Sequence, residues 1–222
     1  MEIVQFETIE EMMGALEMFR EGFIIEDDIF ECVDFTDEND RSLHDAQVLT
    51  TLAANAGGNC FEVGTSLGRG TYKMATNIVD LGGVVYTLNA VADQTSGQFV
   101  THKLTKEEIG SYLREHGIEN FVQYYGDSKT WNISKKVNGV SLVYIDGCHD
   151  EDYVYSDSSR FFPKLKSGGI IAWHDFSPVF EGDPRAYWIT SCMAGVRRFC
   201  EENGIKTVYH LKNSWTGFAI KE

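Results

Sequence analysis

The chain has 222 residues, a length that suits one domain with a single hydrophobic core. Apolar residues make up 43% of the chain and aromatic residues 13%, which excludes a disordered protein. The formal net charge of −15 argues against binding to nucleic acid or to an anionic membrane, because phosphates would be repelled.

The sequence carries no sign of export or of a membrane span. No apolar stretch approaches the roughly 18 residues that a membrane helix needs. The first 11 residues hold four Glu and no Lys or Arg, unlike a secretory signal. The five cysteines lack CxxC spacing, so they indicate neither a disulfide framework nor a zinc site. We therefore expect a cytoplasmic protein.

The acidity is concentrated at the N-terminus. Residues 1–40 hold 14 acidic side chains and one basic side chain, a net charge of −13, and the acids are densest from 26 to 40. We predict that residues 1–40 form an acidic helical extension or arm, and residues 41–222 the main domain. The arm is either a solvated extension or a lid or dimer contact that steers a cationic group. An apolar stripe in it has helical spacing: Ile9, Met12, Met13, Leu16 and Phe19.

From residue 42 onward, the pattern alternates between helices and short apolar strands. Three of the predicted helices cover residues 42–56, 71–81 and 150–166. Another begins at residue 105, a short one follows residue 128, and the last one ends at residue 203. The predicted strands are residues 60–63, 84–88, 121–125, 140–145, 170–173, 207–211 and 217–220. Since no helix separates the last two strands, we expect them to form an antiparallel hairpin. The sequence predicts an α/β fold with a doubly wound, mostly parallel seven-stranded sheet and an antiparallel C-terminal strand.

A glycine-bearing turn follows the first of these strands, in the run Glu62-Val63-Gly64-Thr65-Ser66-Leu67-Gly68. Its spacing is G-x-x-x-G, not the G-x-G-x-x-G of dinucleotide sites. Ligands of open α/β sheets bind beyond the carboxyl ends of the strands, where glycines let the backbone approach them. Glu62 could engage an ammonium group of such a ligand, or the run could be a plain strand-to-helix turn. Asp127 and Ser128 follow another strand and could bond a heterocycle or simply cap a helix.

Two further strand ends carry an aspartate and a histidine each. Asp146 and His149 follow the strand 140–145, whereas His174 and Asp175 follow the strand 170–173. We expect these two strands to be neighbours, so the four side chains should meet at one rim of the sheet. Oxygen ligands from two Asp suit Mg²⁺, and an added His would also permit Mn²⁺, Fe²⁺ or Zn²⁺. The alternative is a purely structural role for these residues.

The order of these motifs resembles the class I S-adenosylmethionine-dependent methyltransferases. The resemblance covers about residues 42–220 and rests on Glu62 to Gly68, Gly126-Asp127-Ser128, Ile145 to His149, Gly168 to Asp175 and Gly195-Val196-Arg197. Within that class the chain looks most like the branch of macrocin-type sugar O-methyltransferases and cephalosporin-hydroxylase-like proteins. The resemblance implies a Rossmann-like methyltransferase fold, in agreement with the inferred terminal hairpin.

The resemblance also implies a role for each matching residue. His149 would be the general base, and a divalent metal, Mg²⁺ or Mn²⁺, would be held by Asp146, His174 and Asp175. Asn89 stands where the family carries an acid that bonds the ribose, and His174 where it often carries another acid. The implied S-adenosylmethionine-binding residues are Glu62, Gly64, Thr65, Ser66, Gly68, Asn89, Asp127, Ser128 and Asp146.

The leading hypothesis is a metal-assisted O-methyltransferase that acts on a hydroxyl of a small molecule, a sugar or a secondary metabolite. The loops 90–101 and 176–187 would contact the acceptor, and Tyr153, Tyr155, Tyr187 and Trp188 could line its pocket. His174 leaves open a metal-dependent hydroxylase or oxygenase on the same fold. Asn89 and the acidic arm leave open a non-catalytic binding homologue. A homodimer or higher homo-oligomer is expected from base rates alone.

Overall fold

The structure is a computed structural model that describes residues 1–23, 38–91, 103–133 and 137–222. Most of the predicted acidic run from 26 to 40, and most of the predicted acceptor loop 90–101, lie outside these residues. No helix in the described ranges is long and apolar enough to cross a membrane. Location in the cytoplasm stays a prediction.

In the described residues, eight strands form a single sheet. The strands are β1 (Glu2–Phe6), β2 (Cys60–Val63), β3 (Val85–Asn89), β4 (Phe121–Tyr125), β5 (Val140–Ile145), β6 (Leu165–Trp173), β7 (Thr207–Leu211) and β8 (Gly217–Ile220). Their order in the sheet is β1-β7-β8-β6-β5-β2-β3-β4. The strand β8 runs antiparallel to β7 and β6, and the other neighbouring pairs are parallel. The predicted α/β fold, with its C-terminal antiparallel strand, is therefore confirmed.

Helices cover both faces of this sheet. They are α1 (Ile9–Ala15), α2 (Glu38–Ala56), α3 (Arg69–Ile78), α4 (Ser111–Glu115), α5 (Glu151–Phe161) and α6 (Tyr187–Asn203). One core layer joins the sheet to α5 and α6, and the other joins it to α1, α2 and α3. The central strand β5 is buried on both faces, since Val143 belongs to the first layer and Leu142 to the second, and this is why its sequence is almost entirely apolar.

The N-terminal residues join the domain through a strand that the sequence pattern does not predict. β1 pairs in parallel with β7 at the edge of the sheet, from Glu2 opposite Thr207 to Phe6 opposite Leu211. The predicted helical stripe is realised in part, because Met12 of α1 is fully buried whereas Phe19 is 88% exposed. The domain boundary at residue 40 stays a prediction, since residues 24–37 are not described.

Three predicted helices differ from the structure. The helix expected over 150–166 ends at Phe161, because Pro163 lies in a short 3₁₀ turn and Leu165 already begins β6. The residues after Ser128 form a turn rather than a helix. The capping box at Thr105 and Glu108 forms both of its hydrogen bonds, yet the regular helix, α4, begins only at Ser111.

The ends of β2 and β5 approach each other so closely that only glycine fits at position 64. Gly64 has φ of +104°, and a Cβ there would lie 1.9 Å from the carbonyl oxygen of Asp146. Gly82 also has a positive φ, +68°, but a Cβ there would meet nothing within 4 Å. Alanine substitutions at Gly64 and Gly82 therefore distinguish the cost of steric conflict from the cost of backbone strain.

Gly64→Ala should lower the free energy of unfolding by at least about 3 kcal/mol, because strain and overpacking add. Gly82→Ala should cost only about 1–2 kcal/mol, the penalty of the left-handed backbone alone. Urea unfolding followed by circular dichroism measures both. Equal losses in the two variants would contradict the close approach of β2 and β5.

Candidate active site

The pairing of β5 with β6 brings the two Asp-His motifs together. Ile145 lies opposite Trp173 in the parallel ladder, so Asp146 and His174 begin the two adjoining loops. The ladder continues one step further, since the His174 N–H donates to the Ile145 carbonyl over 3.0 Å. The expected meeting of Asp146, His149, His174 and Asp175 at the carboxyl edge of the sheet is therefore what the structure contains.

His174 lies at the centre of this cluster. Its Nδ1 is 3.1 Å from Asp146 Oδ1 and 3.3 Å from Asp175 Oδ2. Its Nε2 faces a third carboxylate, Asp45 Oδ2, at 3.5 Å. Burial lowers the pKa of the imidazole, but Tyr144 and the three carboxylates raise it well above its ordinary value.

Asp175 is buried and has φ of +52°, a left-handed conformation that is uncommon outside glycine. Its Oδ2 lies 2.9 Å from His149 Nε2, and its Oδ1 accepts a hydrogen bond of 3.0 Å from Trp188 Nε1. Burial raises the pKa of Asp175, but His149 and His174 lower it well below its ordinary value. Burial also lowers the pKa of His149, but the charge and hydrogen bond of Asp175 and the charge of Asp146 together raise it above its ordinary value.

Sequence reasoning missed Asp45, which α2 contributes to the cluster. Its Oδ1 accepts hydrogen bonds from the Trp215 backbone N–H at 3.0 Å and from Thr216 Oγ1 at 2.8 Å. This holds the carboxylate between α2 and the turn that joins β7 to β8. No sequence signal separates Asp45 from the other polar residues of its helix. Trp188, a predicted acceptor-pocket residue, meets the cluster through Asp175.

The cluster offers several ligand atoms to a metal ion. One atom each from Asp146, His149 and Asp175 lie within 4.8 Å of one another. His174 Nδ1 is within 3.3 Å of both carboxylates, which makes it a fourth candidate. The ligand set inferred from the sequence, Asp146, His174 and Asp175, stays a prediction.

Glu62 lies below the surface of the site rather than on its rim. The side chain is fully buried, and its Oε2 accepts hydrogen bonds from Thr87 Oγ1 at 2.6 Å and from Thr71 Oγ1. Its Oε1 has no hydrogen-bond partner among the described residues. Burial raises the pKa of Glu62 to about 7, against the lowering effect of the two hydroxyl groups. Its contact with a cofactor stays a prediction.

The turn after β2 is held by side chains of β3. Thr65 Oγ1 lies 2.6 Å from Thr87 Oγ1, and both residues are buried. The Ser66 N–H donates to Asn89 Oδ1 over 2.9 Å. Gly68, with φ of +105°, precedes the first residue of α3. Asn89 therefore fixes the shape of the turn, and its predicted contact with a ribose remains to be tested.

The predicted adenine-side residues lie on the turn after β4. Asp127 Oδ1 accepts from the Lys129 N–H over 2.9 Å, and its Oδ2 accepts from the Tyr153 hydroxyl over 3.2 Å. Ser128 is half-buried beside the buried carboxyl of Asp157. Burial raises the pKa of Asp157 to about 7, and neither of its carboxylate oxygens has a hydrogen-bond partner among the described residues. Sequence reasoning missed this acid.

Comparison with protein families decides the class of the protein. A family model described as a methyltransferase domain matches residues 61–176, just over half of the chain. The chain belongs to this methyltransferase family. The predicted enzyme class, an S-adenosylmethionine-dependent methyltransferase of class I, is thereby confirmed. No curated protein sequence matches the chain.

Solved methyltransferase structures share the fold. The O-methyltransferase NovP has a TM-score of 0.62 and 12% identity, over 78% of this chain and 79% of that chain. A putative caffeoyl-CoA O-methyltransferase from Staphylococcus aureus has a TM-score of 0.59 and 13% identity, over 86% of each chain. The O-methyltransferase TomG from Streptomyces achromogenes, solved in complex with SAM, has a TM-score of 0.55 and 16% identity, over 80% of this chain and 79% of that chain.

The buried Glu62 makes stability depend on pH. Its pKa is about 7 in the folded methyltransferase and near 4.5 when unfolded, so between these values the folded state holds the extra proton. Stability is therefore lost as the pH rises through this window, by up to about 3 kcal/mol from this group. In urea unfolding at pH 5 and at pH 8, Glu62→Gln should remove the decrease in unfolding free energy that the Glu62 carboxyl causes.

Glu115→Gln is the matched control, because Glu115 is an exposed glutamate of α4. It should show the same difference in unfolding free energy between the two pH values as the wild type. If Glu62→Gln also showed the wild-type difference, the raised pKa of a buried Glu62 would be contradicted.

Proposed function

We propose that this methyltransferase transfers the methyl group of S-adenosylmethionine to a hydroxyl of a small molecule, with His149 as the general base. The observation that carries the proposal is the contact of 2.9 Å between His149 Nε2 and the buried Asp175 Oδ2 at the carboxyl edge of the sheet. A sugar or secondary-metabolite acceptor is proposed. The names of NovP and TomG, both called O-methyltransferases, support transfer to oxygen.

The contact with Asp175 assigns the two ring nitrogens of His149. A carboxylate only accepts hydrogen bonds, so Nε2 carries the hydrogen and Nδ1 keeps its lone pair in the neutral ring. Nδ1 would take the proton of the acceptor hydroxyl. The oxygen then forms a bond to the methyl carbon, while the electron pair of the breaking S–C bond stays on sulfur and gives S-adenosylhomocysteine. Positioning of the two reactants supplies much of the rate.

The residues at three neighbouring strand ends fit the cofactor chemically. Partly exposed polar groups follow β2, β3 and β4, namely Ser66, Asn89, Asp127 and Ser128. The orphaned Glu62 Oε1 gives the buried end of this row a hydrogen-bond acceptor that an ammonium group would satisfy. We propose that the methionine part lies over the turn after β2, the ribose near Asn89 and the adenine near Asp127.

The cluster around His174 fits a divalent metal. The imidazole Nδ1 of His174 converges with the carboxylates of Asp146 and Asp175, at separations of 3.1 and 3.3 Å. Carboxylate oxygen and imidazole nitrogen are ligand types that divalent metals accept. We propose Asp146, His174 and Asp175 as ligands. A bound cation would supply a Lewis acid that lowers the pKa of the acceptor hydroxyl.

The acceptor would lie on the exposed side of His149. Tyr187 is 55% exposed and stands edge-on to Trp188, with ring centroids 5.7 Å apart. Trp188 is tied to Asp175, so an aromatic surface adjoins the base. Rings of this kind pack against sugar or polyketide faces, which supports the proposed acceptor class.

His149→Ala should separate binding from catalysis. We expect S-adenosylhomocysteine to bind the variant within about twofold of its wild-type affinity, because the proposed cofactor contacts lie elsewhere. Methyl transfer should fall by about 10²–10⁴-fold, the usual contribution of a general base. Calorimetry measures the binding, and transfer of the labelled methyl group from S-adenosylmethionine to a panel of sugars and hydroxylated metabolites measures the activity.

His116→Ala is the control, since His116 is an exposed histidine that follows α4 and stacks on Tyr112. It should keep both binding and transfer. Failure of the folded wild-type protein to bind S-adenosylmethionine at millimolar concentration would refute the proposed function. Unchanged transfer in His149→Ala would refute the base but not the class of reaction.

A further inference from the structure

The side of His174 that faces away from the two candidate ligands is also engaged. Its Nε2 lies 3.5 Å from Asp45 Oδ2, so one imidazole ring connects a carboxylate of α2 with the carboxylates at the ends of β5 and β6. A histidine that binds a metal commonly donates its second ring N–H to a carboxylate in this way.

Asp45 is held in place independently of His174. The Trp215 N–H and the Thr216 hydroxyl both donate to its Oδ1, at 3.0 and 2.8 Å, which leaves Oδ2 for the imidazole. The side chain of Asp45 is only 17% exposed. Both ring nitrogens of His174 face carboxylates, which only accept hydrogen bonds, so an ion at Nδ1 would displace the hydrogen there while Asp45 keeps the one on Nε2.

We propose that Asp45 is a positioning residue: it accepts the Nε2 hydrogen of His174 and holds the ring with Nδ1 between Asp146 and Asp175. An ion that replaces the Nδ1 hydrogen would then bind this nitrogen, which selects a transition-metal ion over Mg²⁺. Imidazole nitrogen suits Zn²⁺ and Fe²⁺, whereas Mg²⁺ is bound chiefly by oxygen. The inference rests on the metal site of the proposed function, but not on methyl transfer itself.

Asp175 also has a partner that orients it, the indole of Trp188. Its Oδ1 accepts the Trp188 N–H at 3.0 Å, and Oδ2 is the oxygen that faces His174. The backbone of His174 is fixed as well, because its N–H donates to Ile145 and Cys192 Sγ donates to its carbonyl oxygen over 3.2 Å. Two of the three proposed ligands therefore have fixed orientations before any ion binds, which favours one coordination geometry.

The test measures metal affinity directly, by calorimetry with Mn²⁺, Mg²⁺ and Zn²⁺ added separately to the full-length, metal-stripped protein. The wild type should bind one Mn²⁺ or Zn²⁺ per chain more tightly than Mg²⁺. Asp45→Asn should weaken Mn²⁺ binding by about 10–100-fold, the usual effect of losing such a partner. His174→Asp should narrow the preference for Zn²⁺ over Mg²⁺, because all three ligands then supply oxygen.

Asp152→Asn is the matched control, since Asp152 is an exposed aspartate of α5 that pairs with Arg198 at the surface. It should leave Mn²⁺ affinity unchanged within about twofold. Electron spin echo spectra of the wild-type Mn²⁺ complex give a second readout that needs no variant. They should show coupling to a nitrogen ligand, and that coupling should persist in His149→Ala.

If an ion binds, three results would overturn the inference: a preference for Mg²⁺ in the wild type, no nitrogen coupling in the Mn²⁺ complex, or an Asp45→Asn affinity equal to that of the wild type. If S-adenosylhomocysteine binds but no ion does, His174 joins the carboxylates through hydrogen bonds alone, and the inference fails while the methyltransferase function stands. Metal binding is measured without an acceptor. Calorimetry and the spin echo spectra therefore decide the inference even if no methyl transfer is found.

Discussion

The parallel pairing of β5 with β6 is the constraint on which the site depends. Its register puts Ile145 beside Trp173, so that the next residues, Asp146 and His174, are adjacent although 28 positions separate them in the sequence. The carboxylates of Asp146 and Asp175 have oxygen atoms within 4.8 Å of each other. Like charges at this distance repel unless a positive charge or a shared hydrogen-bond donor lies between them. The imidazole of His174 meets this need in the structure, and a divalent ion that it helps to bind would meet it more completely.

Much of the fold and the centre of the site could be predicted because they depend on local sequence signals. Continuous apolar strands alternating with helices indicate a parallel sheet, and polar residues directly after Ile145 and Trp173 must emerge at its carboxyl edge. The short connection between β7 and β8 fixes their antiparallel pairing. These inferences need only the period of the pattern and the positions at which it stops.

The remainder depends on contacts between distant parts of the chain, which no local pattern encodes. β1 forms a strand because it pairs with the edge of β7, more than 200 residues away in the sequence. Asp45 is one polar residue on an ordinary helix until the turn at Trp215 and Thr216 binds one of its oxygens and His174 faces the other. Glu62 is predicted at the rim from its motif, but the hydroxyls of Thr71 and Thr87 hold it below the surface. The family resemblance supplies roles for single residues, and only the three-dimensional arrangement shows which residues orient them.

We propose that His174, oriented by Asp45, completes a metal site beside the base of a methyltransferase. A crystal structure with S-adenosylhomocysteine and Mn²⁺, in which anomalous scattering locates the ion, tests this most directly. We expect Mn²⁺ to be bound by Asp146, His174 Nδ1 and Asp175, with the sulfur of S-adenosylhomocysteine on the same side of the sheet as His149. A cofactor bound without an ion, and with His174 Nδ1 still hydrogen-bonded to both carboxylates, would contradict it.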